Sequence, residues 1–134
     1  MFDVTGAVID YFNDNMATLI GSGNYDVTVY RDTFSDISKP EAISAFNELE
    51  ESTEYDGIII SDLRINARSR KKQTAYNLMV NADFLLNLMV RKMLNDTIEL
   101  VLCKRNSGPS WFRGEDNFHY YTALYGTTMR NTDA

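Results

Sequence analysis

Between Ile58 and Ala67 apolar and polar side chains alternate, with Leu63, Ile65 and Ala67 on one side and Asp62, Arg64, Asn66 and Arg68 on the other. A period of two marks a half-buried strand, because successive side chains of an extended chain point to opposite faces. The rest of the chain must therefore supply a cover for one face of a sheet. Two segments have the helical period to do so. Val4, Val8, Tyr11, Phe12, Met16 and Leu19 recur at helical spacing opposite Asp10, Asn13 and Asp14, until Gly21-Ser22-Gly23 stops the helix. The longer seam reads Ala75, Met79, Ala82, Leu86, Met89 and Met93, widened by Leu78, Phe84 and Leu85 and ended by Asn95-Asp96.

The remaining segments complete the order. Tyr25 to Tyr30 alternates and is rich in β-branched and aromatic residues, which predicts a strand. Over 38–54, Ser38 and Glu41 have capping-box spacing and Ala42, Phe46 and Leu49 repeat at helical intervals, which predicts a short exposed helix. Its acidic tail, Glu48, Glu50, Glu51 and Glu54, reads as a solvated face leading to a turn at Asp56-Gly57. Thr97 to Cys103 reads as a strand with Ile98, Leu100 and Leu102 facing one way and Cys103 the other, beside Val101. Residues 104–117 read as a long glycine- and proline-punctuated loop carrying Trp111 and Phe112, before a last strand from Phe118 to Met129. The expected fold is α+β: a single domain over 1–134 with one mixed, mostly antiparallel sheet, an N-terminal helix and one long helix packed on a face.

The chain has 134 residues, 44% hydrophobic and 24% charged, the balance of one ordinary globular domain. No apolar run approaches the roughly 20 residues that span a bilayer. Asp3 and Asp10 stand where a signal peptide carries Lys or Arg, so the expectation is a soluble intracellular protein. The net charge of −6 is unevenly spread. Residues 1–62 carry 13 acidic side chains against Arg31 and Lys39, a net of −11, whereas residues 63–134 carry 6 against 11 Lys and Arg, a net of +5. Either two solvated faces differ in sign, or the acidic half of one copy meets the basic half of the next. The overall acidity argues against general affinity for duplex DNA.

Catalytic signals are weak. Cys103 and His119 fall on neighbouring strands, where they can approach each other, but no glycine elbow or partner carboxylate accompanies them. A small Cys/His hydrolase is thus a rival reading, and a buried structural cysteine the plainer one. One histidine and one cysteine cannot build a structural zinc site, and residues 48–56 lack calcium-loop spacing, so no metal and no cofactor is expected. The run Arg68-Ser69-Arg70-Lys71-Lys72 at a helix start is the better anion candidate, against a plain charged turn, with no aromatic residue adjacent in sequence for base stacking. Trp111 and Phe112 in a hydrophilic loop either fold back onto the core or are offered to a partner. A monomeric regulatory binding protein is a third reading.

Two stretches carry a resemblance. Gly57-Ile58-Ile59-Ile60 through Arg64, Ile65 and Arg68 to Ala75-Tyr76-Asn77-Leu78 resembles the strand, basic turn and alanine-containing long helix of the tail-terminator proteins of long-tailed bacteriophages, also called tail-completion or head-to-tail joining proteins. Gly108-Pro109 through Gly114-Glu115-Asp116-Asn117 and His119-Tyr120-Tyr121 is similar to the family's Gly-Pro, Gly-x-Asp and aromatic final strand. Residues 38–56 depart from the family, where a shorter connection or hairpin is expected. The resemblance implies a non-enzymatic virion protein made in the host cytoplasm, a homo-oligomeric ring of six at the head-proximal end of the tail tube. Its implied partners are itself, the tail tube protein and the head connector or stopper, with DNA only passing through the lumen. A head-completion adaptor on the connector is the close variant. The residues expected to make contacts are Arg64, Arg68, Arg70, Lys71, Lys72, Trp111 and Phe112.

Overall fold

A computed structural model describes residues 3–52 and 57–132, with the backbone alone over 48–52. The elements are α1 (Val4–Asp14), α2 (Met16–Ile20), β1 (Thr28–Arg31), β2 (Ala42–Ser52), β3 (Ile58–Ser69), α3 (Lys72–Leu86), β4 (Val90–Met93), β5 (Ile98–Arg113) and β6 (His119–Asn131). The strands form one sheet in the order β1-β2-β3-β6-β5-β4. Only β1 and β2 run parallel. The fold is therefore the expected α+β arrangement of a single mixed, mostly antiparallel sheet.

The helices cover one face. On β3 the odd residues Ile59, Leu63, Ile65 and Ala67 are buried, and β6 adds Ala123, Tyr125 and Met129. Against them lie Val4, Val8, Tyr11, Phe12 and Leu19 from the N-terminal helices and Leu78, Met79, Ala82, Leu85 and Leu86 from α3. The Asp3 side chain caps α1 through the Gly6 N–H (3.0 Å), and the Tyr11 hydroxyl donates to the Leu85 carbonyl (3.0 Å), tying α1 to α3. The other face, with Asp62, Arg64, Asn66 and Thr122, is half-exposed.

Four expectations are corrected. The helix expected over 38–54 is instead β2, with Ala42 to Ala45 buried without a break between β1 and β3. A strand flanked on both sides and covered on both faces loses the polar alternation that identifies a strand, so the ladder overrides the local helical spacing. The side chains of Glu48, Glu50 and Glu51, and all of Glu54 and Asp56, lie outside the described residues, and with them the expected acidic face and most of the turn.

The long helix stops at Leu86, not at Asn95. Asn87 leaves helical conformation, its side chain takes the Arg105 N–H (2.9 Å), and Leu88 adopts a φ of 63°. Met93 of the expected seam then falls on the exposed strand β4, and Phe84 points to solvent at 70% exposure.

Residues 104–113 are strand, not loop, because β6 is long enough to pair them as far as Arg113↔His119. Three irregularities in β5 absorb the residues that break the pattern, the last of them around Gly108 and Pro109. Gly108 has a φ of 86°, and a Cβ there would lie 2.5 Å from the Thr122 carbonyl oxygen.

The same mechanism exchanges Leu102 and Cys103. Leu100 pairs with Met129 and Leu102 with Thr128, so Val101 is an extra residue that reverses the side-chain parity. Cys103 is buried with Ile98 and Leu100, while Leu102 is exposed.

Candidate assembly interface at the hairpin end

β5 and β6 project as one long hairpin closed by a tight turn. Gly114 N–H donates to the Phe118 carbonyl (2.9 Å), Asn117 N–H to the Gly114 carbonyl (3.1 Å), and Asp116 accepts from the Phe118 N–H (3.0 Å). The Tyr120 hydroxyl donates to the other Asp116 oxygen at 2.5 Å. Burial and the Asp116 carboxylate push the Tyr120 hydroxyl up to about 12. Burial acts to raise Asp116, yet these hydrogen bonds hold it below its ordinary value.

Trp111 and Phe112 are consecutive, so the strand sends them to opposite faces. Trp111 stacks on His119 with ring centres 5.9 Å apart, donates its indole N–H to His119 Nδ1 (3.2 Å), and lies 4.1 Å from the Lys72 ammonium. Phe112 lies flat on Tyr120 (4.9 Å, 6°), and Tyr120 continues to Phe34 (5.8 Å) and Phe34 to Tyr30 (5.9 Å). Both rings are nearly half-exposed, at 44% and 48%. They are neither a free arm nor a core element: each is stacked on its own hairpin and keeps an outer surface.

The basic run divides. Arg68 is buried at 1%, held between the rings of Phe34 and Phe118 at 4.6 Å each. Its guanidinium donates to the carbonyls of Pro40 (3.4 Å), Asp36 (2.9 Å) and Lys39 (2.8 Å), so it fastens the β1–β2 connection and offers nothing outward. Arg70 also lies over the Phe118 ring, at 5.2 Å, and Arg70, Lys71 and Lys72 are exposed. Arg64 stands apart on the open face and donates to the Thr122 hydroxyl (2.9 Å). The fold thus sets aromatic rings beside Arg70 and Lys72 that are distant in sequence, and each of these rings already carries a cation.

The Cys/His pairing is not formed. Cys103 lies opposite Thr127 and His119 opposite Arg113, eight residues apart along β6, or about 26 Å at strand rise. Burial, with a smaller effect from Asp83, pushes the Cys103 thiol up to about 12. Among the described residues no three of His, Cys, Asp and Glu converge as metal ligands. No helix among them is long and apolar enough to cross a membrane.

Sequence reasoning missed three surface features. Phe34 and Tyr120 extend the aromatic row, a contact made where the β1–β2 connection folds against β6. Arg91 and Lys92 are exposed on β4, inside a stretch read as helix. Tyr76, Val80 and Phe84 form an exposed apolar stripe on α3. Their four-residue spacing was visible in the sequence but was eclipsed by the stronger core seam.

No protein-family model matches the chain, and no curated protein does. Among solved structures it is similar to a chain in the virion of a native gene transfer agent particle, with a TM-score of 0.68. The superposition covers 96% of this chain and 95% of that one at 14% identity, so the two share a fold from end to end.

Proposed function

We propose that the chain is a structural protein of a phage-type virion, which forms a ring at the head-proximal end of the tail tube, ends tube polymerisation and joins the tail to the head connector. The observation that carries this reading is the end-to-end fold shared with a chain of a gene transfer agent virion. The stretches from Gly57 to Leu78 and from Gly108 to Tyr121, which resemble tail-terminator proteins, agree with it. In this reading the partners are further copies of the chain, the tail tube protein and the head connector, and DNA passes through the lumen. Trp111, Phe112, Arg70, Lys71 and Lys72 line the contact surface at the hairpin end, and Arg64 serves the open face of the sheet. Arg68 acts from within, by fixing the β1–β2 connection beside them.

No chemical step is assigned to the chain. The close alternative, an adaptor on the head connector, uses the same surface from the other side of the joint. Fractionation of particles distinguishes the two. The chain copurifies with separated tails if it is a terminator and with filled heads if it is an adaptor. Its absence from both, with joined particles forming normally, would overturn the proposal.

A further inference from the structure

The two edges of the sheet are stepped in opposite senses. β1 pairs with Ala42 to Ala45 alone, so among the described residues only β3 pairs with β2 from Phe46 to Ser52. β4 pairs with Glu99 to Leu102, and beyond Arg105, whose N–H meets the Asn87 side chain, only β6 pairs with β5 among the described residues. Pro109 sits in this bare stretch, where a missing N–H removes no ladder bond.

The register across the sheet matches the steps. Through β3 and β6, Ala42 is level with Phe112 and Ser44 with Ser110, so β1 stands out where the β5 edge is bare. Glu51 is level with Leu102 and Ser52 with Leu100, so β4 stands out where the β2 edge is bare. Two copies placed side by side in the same orientation therefore mesh, and β1 of one then runs antiparallel to β5 of the other.

Charge selects this arrangement. The β5–β4 edge carries Arg91, Lys92, Lys104 and Arg113, all exposed, while the bare part of β2 carries Glu48, Glu50 and Glu51. A two-fold pairing of like edges would set exposed cations against cations, or bring together two strand segments whose sequence is acidic.

We propose that the β5–β4 edge of one copy docks on the β1–β2 edge of a second copy, continuing the sheet from subunit to subunit. The contact is heterologous, and its repetition about one axis makes a ring where the rotation closes and a filament where it does not. The inference rests on the reading of the chain as a self-assembling virion subunit and names the surface through which it assembles.

The test uses two reversed proteins, Arg91→Glu/Lys92→Glu and Glu50→Lys/Glu51→Lys, and reads solution mass by sedimentation at about 0.1 M salt, where charges still act over ~10 Å. The wild-type chain associates by about 1 mM, each reversed protein associates at least about tenfold more weakly, and an equimolar mixture regains assembly because each then meets an opposite edge. Misfolded chains would not regain it. Should the first variant fail to fold, Lys104→Glu makes the reversal on β5 instead.

A wild-type monomer at about 1 mM, singly reversed chains that assemble like wild type, or a mixture of folded variants that stays monomeric would each overturn the contact. Solution mass is read without any particle, so multimers that are absent from purified virions would count against the proposed function alone. Particles that incorporate singly reversed chains at the wild-type level would count against the edge contact alone.

Discussion

The Tyr125 hydroxyl on β6 donates a 2.7 Å hydrogen bond to Asp83 on α3. Arg105 on β5 reaches the other oxygen of the same carboxylate at 3.0 Å. One side chain of α3 thereby locks the helix to two central strands, over a Tyr ring that is fully buried. Burial, then the Asp83 carboxylate, pushes the Tyr125 hydroxyl well above the usual tyrosine range.

Asp83→Ala removes the acceptor and leaves a buried hydroxyl and a half-buried guanidinium without it. The expected destabilisation is about 2 kcal/mol, read as a lowered urea midpoint at unchanged m-value. Asp83→Asn keeps an acceptor for Tyr125 and loses only the ionic part, so it should cost less than half as much.

Cys103 is expected to resist alkylation in the folded protein and react in urea, since burial holds the thiol up to about 12 against 9.0 in the unfolded chain. Between those values the unfolded state has lost the proton and the native state retains it. Stability therefore falls as pH rises above about 9, by at most about 1.4 kcal/mol per pH unit for this one group. Below that window it contributes no pH dependence. Cys103→Ala should remove the first part of the alkaline decline, visible as a shallower slope between pH 9 and 10 in urea titrations, while assembly is unchanged.

Arg68→Ala is expected to lower stability by about 3 kcal/mol, because three carbonyls and two ring faces lose their shared partner. Arg68→Lys should recover only part, since a compact ammonium cannot span carbonyls that a planar guanidinium fork reaches together. Chemical denaturation of both variants checks the ordering.

Trp111, the only tryptophan, is 44% exposed and should show an intermediate emission maximum and partial acrylamide quenching in the monomer. On assembly the emission is expected to move to the blue and quenching to fall. Trp111→Ala should fold, because the ring stacks on an exposed hairpin, and should fail to join heads to tails if Trp111 is an anchor.

Much of this was legible where period and burial coincide. β3 has one covered and one open face along most of its length, so its alternation survived intact from Leu63 to Ala67, and the α1 stripe through Val4, Val8, Tyr11 and Phe12 was equally plain. The reading failed where the sheet supplied the order. β2 is covered on both faces near Ala42–Ala45 and so has no alternation to read. The strand character of Lys104–Arg113 comes from its partner β6, and one bulge at Val101 was enough to exchange Leu102 with Cys103. At the hairpin end, Trp111 and Phe112 were visible as large aromatics in a hydrophilic stretch. The burial of Arg68 was not, because the Asp36, Lys39 and Pro40 carbonyls that hold it belong to a connection about thirty residues away.

The proposed place of the chain at the joint of head and tail is tested most directly by electron microscopy of particles made without it. The account predicts tail tubes of uncontrolled length alongside DNA-filled heads that carry no tail. Tails of normal, uniform length joined to heads would contradict it.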